Sequence, residues 1–397
     1  MFIKRALADT FHKALSLFPA VLITGPRQSG KTTFLQHELK GKAQYVSFDD
    51  PLERAFAHED PNGFLDRFNT TPVILDEIQY VPELFSYLKI RIDNEREKCG
   101  KWIMTGSQQF SLMKNISDSL AGRIAILELL PLHWLEYGKP ADRAENLIWT
   151  GGYPEVVTLP VKRDMWLKSY LGTYIERDLH QILSVKDLSL FQAFVSYCAS
   201  IHGQELNMAS ISRCCGISQP TCKNWLSVLQ ACYLIILLQP YHRNLGKRIV
   251  KSPKLYFLDS AIAAYLTRQP SAEALFSGAM GGAFFEGFIV SETVKILGRL
   301  GISQPVYYFR ANDGTEIDLL IEMSEGYYPL EIKKTATPTR KHVSSMLRIA
   351  KGSEGFRVLE PRIVCMVPET RDLPGGVKAV PWQEYLHWLG RFAADLK

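Results

Sequence analysis

The segment Gly25-Pro26-Arg27-Gln28-Ser29-Gly30-Lys31-Thr32 constrains this chain more than any other stretch. It fits G-x-x-x-x-G-K-[ST] position for position, directly after the apolar run Val21 to Thr24 and before a helical pattern. Glycines at 25 and 30 let backbone N–H groups close around phosphate oxygens, and the N-terminus of the following helix adds a favourable dipole. In such a loop Lys31 reaches the β- and γ-phosphates of a nucleotide and Thr32 places its hydroxyl on Mg²⁺. Pro26, Arg27, Gln28, Ser29 and Thr33 complete the expected nucleotide-binding stretch.

A phosphate loop of this kind needs a parallel sheet behind it, and the first third of the chain supplies the strands. VLITG (21–25), QYVSFDD (44–50), PVILDEIQ (72–79), KWIMTGS (101–107) and IAILELLPL (124–132) are short apolar runs ending in polar residues, which is how buried parallel strands read. The segments between them are long enough for crossover helices. The expected fold class is therefore α/β. In PVILDEIQ, Asp76 and Glu77 fall at the C-terminal end of a strand, where ligands of open α/β sheets bind. Asp76 suits Mg²⁺, directly or through water, and Glu77 suits the attacking water. The next strand ends in Thr105, Gly106, Ser107 and Gln108, whose polar groups either sense a γ-phosphate or form a turn; Ser107 joins the nucleotide-binding set.

The chain has 397 residues, which suggests two or three domains, and its 46% hydrophobic and 11% aromatic content describe a folded protein. No run approaches the roughly 20 apolar residues of a bilayer span, and the first residues scatter their charges, so neither a membrane partner nor a secretory signal is expected. Seven cysteines without paired spacing point to a reducing, cytoplasmic setting. Cys214, Cys215, Cys222 and Cys232 form no C-x-x-C pair and read as core cysteines rather than zinc ligands. The formal net charge of +5 permits a polyanion partner without requiring one.

GPRQSGKTT, ILDEIQ, TGSQQ, LAGR (Leu120 to Arg123), GGYPEV and YIERDL, in this order, resemble the AAA+ superfamily and, within it, prokaryotic AAA-type ATPases that carry a C-terminal domain of uncharacterised function. The resemblance covers most of the chain. It implies ATP with Mg²⁺ as ligands, a ring or dimer of subunits, and Arg123 as a finger reaching a neighbour's γ-phosphate. The alternative for Arg123 is a surface or capping role. Arg177 is a weaker candidate for a lid contact, set against an ordinary helical ion pair.

After about residue 150 the pattern changes, with a Gly/Pro break at GGYPEVV (151–157), and three regions are expected: an ATPase domain with lid over 1–180, a winged helix over 181–275, and a nuclease-like α/β domain over 276–397. NMASISRCCGISQPTCKNWLSVLQACYLI reads as two helices with a turn at Gly216, the second capped by Ser218. Its polar face carries Lys223. A hairpin follows whose loop holds Arg243, Lys247, Arg248 and Lys251, the concentration of basic charge expected of a DNA contact. The same helices can equally form an oligomerisation or adaptor module for a protein partner.

In the last region Glu286 lies on a helix, Asp318 on a hairpin strand, and Glu331 and Lys333 on one face of the next strand. This order resembles the PD-(D/E)XK nuclease fold, which implies Asp318 and Glu331 as ligands of a second Mg²⁺, Glu286 as an orienting group and Lys333 as a stabiliser of phosphate charge. The alternative is a nuclease-like scaffold used for binding or assembly. Three functions follow: an ATPase that acts on DNA, an ATP-gated nuclease, and a nucleotide-dependent switch that binds protein and touches no DNA.

Overall fold

The computed structural model describes residues 2–68, 71–106, 120–173, 188–241, 252–301, 306–311, 314–339, 342–344, 346–348 and 357–395. The chain forms two compact units, one of Met1–Leu132 with Ala231–Tyr233 and Gly298–Ile302, the other of the remaining residues. Among the described residues no helix is long and apolar enough to cross a membrane.

The first unit is built on five parallel strands, β1 (Ala20–Thr24), β2 (Gln44–Ser47), β3 (Val73–Asp76), β4 (Trp102–Gly106) and β5 (Ile124–Glu128), in the order β2-β3-β4-β1-β5. Each of the five apolar runs in this part of the sequence forms one of them. Strand β2 stops at Ser47 because Asp50 turns the chain into the next helix, its carboxylate accepting from the Leu52 N–H and Pro51 occupying the first turn. β1 is buried along its whole length because it pairs on both sides.

Strand alternation divides the core between the two sheet faces. Ala20, Leu22, Val73, Leu75, Trp102 and Met104 pack with side chains of α3 (Pro51–Glu59), α4 (Pro61–Asp66) and α5 (Leu84–Asn94). Val21, Ile23, Ile74 and Ile103 take the other face, with Phe11 of α1 (Ala8–Leu17) and Phe34 of α2 (Lys31–Glu38). The strand order has a functional consequence: the loop after β1 lies next to the end of β4, and β4 next to the end of β3.

The second unit contains α6 (Leu188–Ser200), β6 (Gln204–Glu205), α7 (Met208–Cys215), α8 (Gln219–Ala231), β7 (Ile235–Leu238) and β8 (Lys254–Phe257), with the strands in a small antiparallel sheet ordered β6-β8-β7. Gly216 ends α7 in the left-handed region at φ 66°, and the Ser218 hydroxyl accepts from the Thr221 N–H at the start of α8. Cys215, Cys222 and Cys232 are core residues, whereas Cys214 is exposed, a correction to the sequence reading. The helical period explains it: Cys215 lies one turn on from the buried Ile211 and Ser212, and Cys214 falls outside that stripe of α7.

A long helix, α9 (Gly281–Gly298), precedes a six-stranded mixed sheet of β9 (Val306–Arg310), β10 (Glu316–Met323), β11 (Gly326–Ile332), β12 (Arg362–Cys365), β13 (Arg371–Leu373) and β14 (Val377–Pro381). Its order is β13-β14-β12-β11-β10-β9, antiparallel from β9 to β11 and parallel from β11 through β12 to β14. The Gly151-Gly152 break has a local cause in this unit. The buried Asp259 carboxylate accepts from the N–H groups of Gly152 and Ala261, and a Cβ on Gly151, at φ 73°, would meet its oxygen.

Candidate functional site

The loop after β1 is shaped by three positive φ values, at Gly25 (141°), Gln28 (59°) and Gly30 (91°). Gly25 has a second reason to be glycine: a Cβ there would stand 2.3 Å from the Leu129 carbonyl oxygen. Gly30 then hands the chain into α2, whose first-turn N–H groups have no carbonyl four residues back within the helix and point into the loop. Lys31 is buried, its ammonium donating to the carbonyls of Gly25 (3.2 Å) and Pro26 (3.0 Å). Burial lowers its pKa to about 8, against the raising effects of Glu77 and Asp76. The Ser29 hydroxyl is buried and has no hydrogen-bond partner among the described residues.

Residues from three strand ends meet beside this loop. The Thr32 hydroxyl donates to both Asp76 oxygens, at 3.0 and 2.9 Å. Thr105, at the end of β4, donates to Asp76 Oδ1 and accepts from the Glu77 N–H at 2.9 Å. Tyr45 of β2 donates to Asp76 Oδ2 at 2.7 Å, and burial together with this carboxylate raises its pKa. Glu77 adopts the left-handed conformation, φ 57° and ψ 45°, at a cost of about 1 kcal/mol for a residue with a side chain. Its carboxylate is held by the Gln79 side-chain amide.

The donor set fits a nucleotide triphosphate with Mg²⁺: a buried ammonium, a helix N-terminus, an unpartnered buried hydroxyl and a hydroxyl–carboxylate pair. Gly25 through Thr33, Asp76 and Glu77 are therefore brought together. Ser107 lies outside the described residues, and Thr105 is the β4 residue seen to contact Asp76.

Arg123 stands at the start of β5, in an ion pair with Asp93 of α5 through Nε (2.6 Å) and Nη2 (3.0 Å), with Nη1 on the Ala121 carbonyl. This pair lowers the Asp93 pKa and raises that of Arg123, through the hydrogen bonds first. Arg177 lies outside the described residues.

Sequence reasoning missed Arg5, which is buried and donates to the carbonyls of Ser29 (2.9 Å) and Leu130 (2.5 Å). It ties the phosphate loop to the chain leaving β5. Only its position before α1 marked it, a weak signal.

In the second unit Lys223 is exposed on α8, on the same face as Gln219, Asn224, Ser227 and Gln230, while Cys222, Leu226 and Leu229 are buried. Arg243, Lys247, Arg248 and Lys251 lie outside the described residues.

Glu286, Asp318, Glu331 and Lys333 do converge, on α9, β10 and β11. Lys333 Nζ reaches Asp318 Oδ2 (3.1 Å) and Glu331 Oε1 (2.9 Å), and the Ile332 N–H donates to Asp318 Oδ2 (2.8 Å). Burial and the neighbouring Asp318 push Glu331 up to about 7, opposed by Lys333. A residue the sequence did not single out stands among them. Lys254, the first residue of β8, lies 3.2 Å from Glu286, 2.5 Å from Glu316 and 4.0 Å from Asp318, and Tyr256 donates to Glu286 at 2.5 Å. Burial opposes the Lys254 charge, but these three carboxylates together raise its pKa above the ordinary lysine value. Among the described residues no group of three or more His, Cys, Asp or Glu is placed to hold a metal ion. Ammonium groups stand between these carboxylates, Lys254 among Glu286, Glu316 and Asp318, and Lys333 between Asp318 and Glu331.

Three domain families match the chain: an AAA domain over residues 17–138, a domain of unknown function (DUF8612) over 141–273 and a second (DUF4143) over 281–385. The uncharacterized proteins Rv2008c of Mycobacterium tuberculosis and Mb2031c of Mycobacterium bovis are each 32% identical over 342 residues, 85% of this chain and 75% of the relative. Among solved structures, the Walker-type ATPase PABY2304 of Pyrococcus abyssi is similar at 14% identity and a TM-score of 0.45, over 67% of this chain and 96% of that one.

Proposed function

We propose that this chain, which belongs to the family of the mycobacterial proteins Rv2008c and Mb2031c and is a P-loop ATPase of the AAA type, couples hydrolysis of Mg-ATP to a conformational change on DNA. The observation that carries the hydrolytic part is the hydrogen-bonded line Thr32–Asp76–Thr105–Glu77, which fixes a metal-suited carboxylate and a second acid beside the phosphate loop. In this reading Lys31 and the N–H groups of the loop bind the phosphates, and Thr32 and Asp76 hold Mg²⁺. When bound, the ion neutralises charge on the β- and γ-phosphates. Glu77 accepts a hydrogen bond from the water aimed at the γ-phosphorus, and its constrained backbone and the Gln79 contact fix the direction of that carboxylate. Water attacks, the bond from γ-phosphorus to the bridging oxygen breaks, and ADP and inorganic phosphate leave. Arg123 acts in trans on a neighbouring subunit's γ-phosphate, which requires it to exchange Asp93 for that partner.

The DNA part rests on α6, β6, α7, α8, β7 and β8, whose order is that of a winged helix, and on the exposed polar face of α8 with Lys223. The basic segment between β7 and β8 supplies phosphate contacts in this reading. A second reading, an ATP-gated nuclease, would use Asp318, Glu331 and Lys333, which lie together on β10 and at the end of β11. Steady-state ATP hydrolysis with duplex, single-stranded and branched DNA tests the first: stimulation by DNA supports it, and a rate indifferent to all three points to a protein-binding switch instead. Cleavage of any of these DNAs that disappears with Asp318→Ala supports the second.

A further inference from the structure

We propose that Lys254 is a tethered cation that stands where a divalent metal would sit among Glu286, Glu316 and Asp318, so that the chain as it exists holds no metal at this cluster. The carboxylates come from α9 and from one face of β10, and Lys254 enters from the neighbouring small sheet with its side chain 5% exposed. Its nitrogen lies within 4.0 Å of all three acids, the arrangement a cation-binding site presents to its ion. A buried ammonium is tolerated only with such compensation. The compensation works in both directions: without Lys254, three acids would face one another across a water-poor space.

Glu331 borders the same group from the side of Lys333. Glu331 is 8% exposed, and its Oε2 has no partner among the described residues, whereas Oε1 is taken by Lys333. Four acids therefore share two lysines, and among the described residues Glu331 Oε2 is a buried carboxylate oxygen of this group without a hydrogen-bond partner. Mg²⁺ or Mn²⁺ would need carboxylate oxygens at about 2.0–2.2 Å around a common centre. That centre cannot hold both a divalent ion and the ammonium, because like charges this close repel in a poorly solvated space. The order of residues resembles a metal-dependent nuclease, but the residues present do not fit the ion while Lys254 is in place.

The test is Mn²⁺ binding to the full chain without nucleotide, read from the loss of the free aqueous Mn²⁺ resonance. Each form is compared with its Asp318→Asn counterpart, so that binding at the phosphate loop cancels. The wild type is expected to show no Asp318-dependent binding at millimolar Mn²⁺. Lys254→Met is expected to gain one equivalent at least about tenfold tighter than anything in the wild type, lost again with Asp318→Asn. Lys254→Gln serves if the methionine variant does not fold. An Asp318-dependent Mn²⁺ site in the wild type overturns the proposal whatever the variants do, and so does a folded Lys254 variant that gains no site.

Discussion

The Thr32 hydroxyl donates to both oxygens of the Asp76 carboxylate, at 3.0 and 2.9 Å, so the last residue of β3 and the second residue of α2 are held as one unit. In the proposed mechanism that unit is what receives Mg²⁺. Asp76→Asn removes the charge while keeping the shape, and is expected to lower kcat by at least about 10²-fold, with the remaining rate insensitive to Mg²⁺ concentration. A Mg²⁺ titration of the variant's ATPase rate checks this; a wild-type Mg²⁺ response would exclude Asp76 from the metal site.

Lys31 gives a pH dependence with a definite sign. Its pKa of about 8 lies below the ordinary lysine value because it is buried, so in the free protein it is protonated below pH 8 and loses its charge above it. Bound phosphates favour the protonated form. The dissociation constant for ATP is therefore expected to be flat below pH 8, then to rise about tenfold per pH unit until the pKa of the bound form is reached. Calorimetric titrations from pH 7 to 9.5 follow it, with proton uptake on binding across the same window. A constant affinity through pH 9.5 would mean that Lys31 makes no charged contact with the nucleotide.

If Arg123 acts across a subunit boundary, Arg123→Ala and Lys31→Ala should complement each other. Random mixing in a head-to-tail assembly gives about one contact in four that pairs an intact loop with an intact arginine, so about a quarter of wild-type ATPase should return. Two inactive variants that stay inactive when mixed would place Arg123 in its own subunit, as the Asp93 ion pair alone would suggest.

The α8 face makes a measurable claim as well. Lys223→Gln should weaken binding to unrelated duplexes by a similar factor and lower the log-log salt slope by about one unit, because one phosphate contact releases fewer counterions. Salt titrations by fluorescence anisotropy read both. An unchanged slope would assign α8 to a protein partner.

A buried histidine in the second unit provides a stability test away from the nucleotide site. His202 is fully buried, its Nδ1 accepts from the Phe257 N–H at 3.1 Å, and burial lowers its pKa to about 4 from 6.5. The unfolded chain takes up this proton first, so the stability is complete above pH 6.5 and lost as pH falls from 6.5 towards 4. By pH 5 the loss amounts to about 2 kcal/mol. Urea unfolding at pH 7 and pH 5 should show that increment in the wild type and not in His202→Asn.

The nucleotide site was largely legible in the sequence because its parts are local. Gly25 to Thr33 is continuous, and Asp76 and Glu77 are adjacent at a strand end, so motif and strand pattern together predict their meeting. Tyr45 and Arg5 were not legible: one reaches Asp76 across a neighbouring strand and the other reaches the loop from before the first helix, and neither contact leaves a periodic trace. The acid cluster of the last region shows the same limit more sharply. Alternation along β10 and β11 correctly groups Glu316 with Asp318 and Glu331 with Lys333, yet Lys254, which changes the chemistry of the group, comes from a different sheet. The polarity of a lone lysine at the start of a strand says nothing about what it will face.

The measurement that bears most directly on the central claim is a paired one, the affinity for ATP and the rate of its hydrolysis, made on the wild type and on Glu77→Gln under the same conditions. Glu77 acts on the water and not on the bound phosphates, so the variant is expected to bind ATP within about threefold of the wild type while hydrolysing it at least about 10²-fold more slowly. A Glu77→Gln chain that turns over ATP at the wild-type rate would contradict the account.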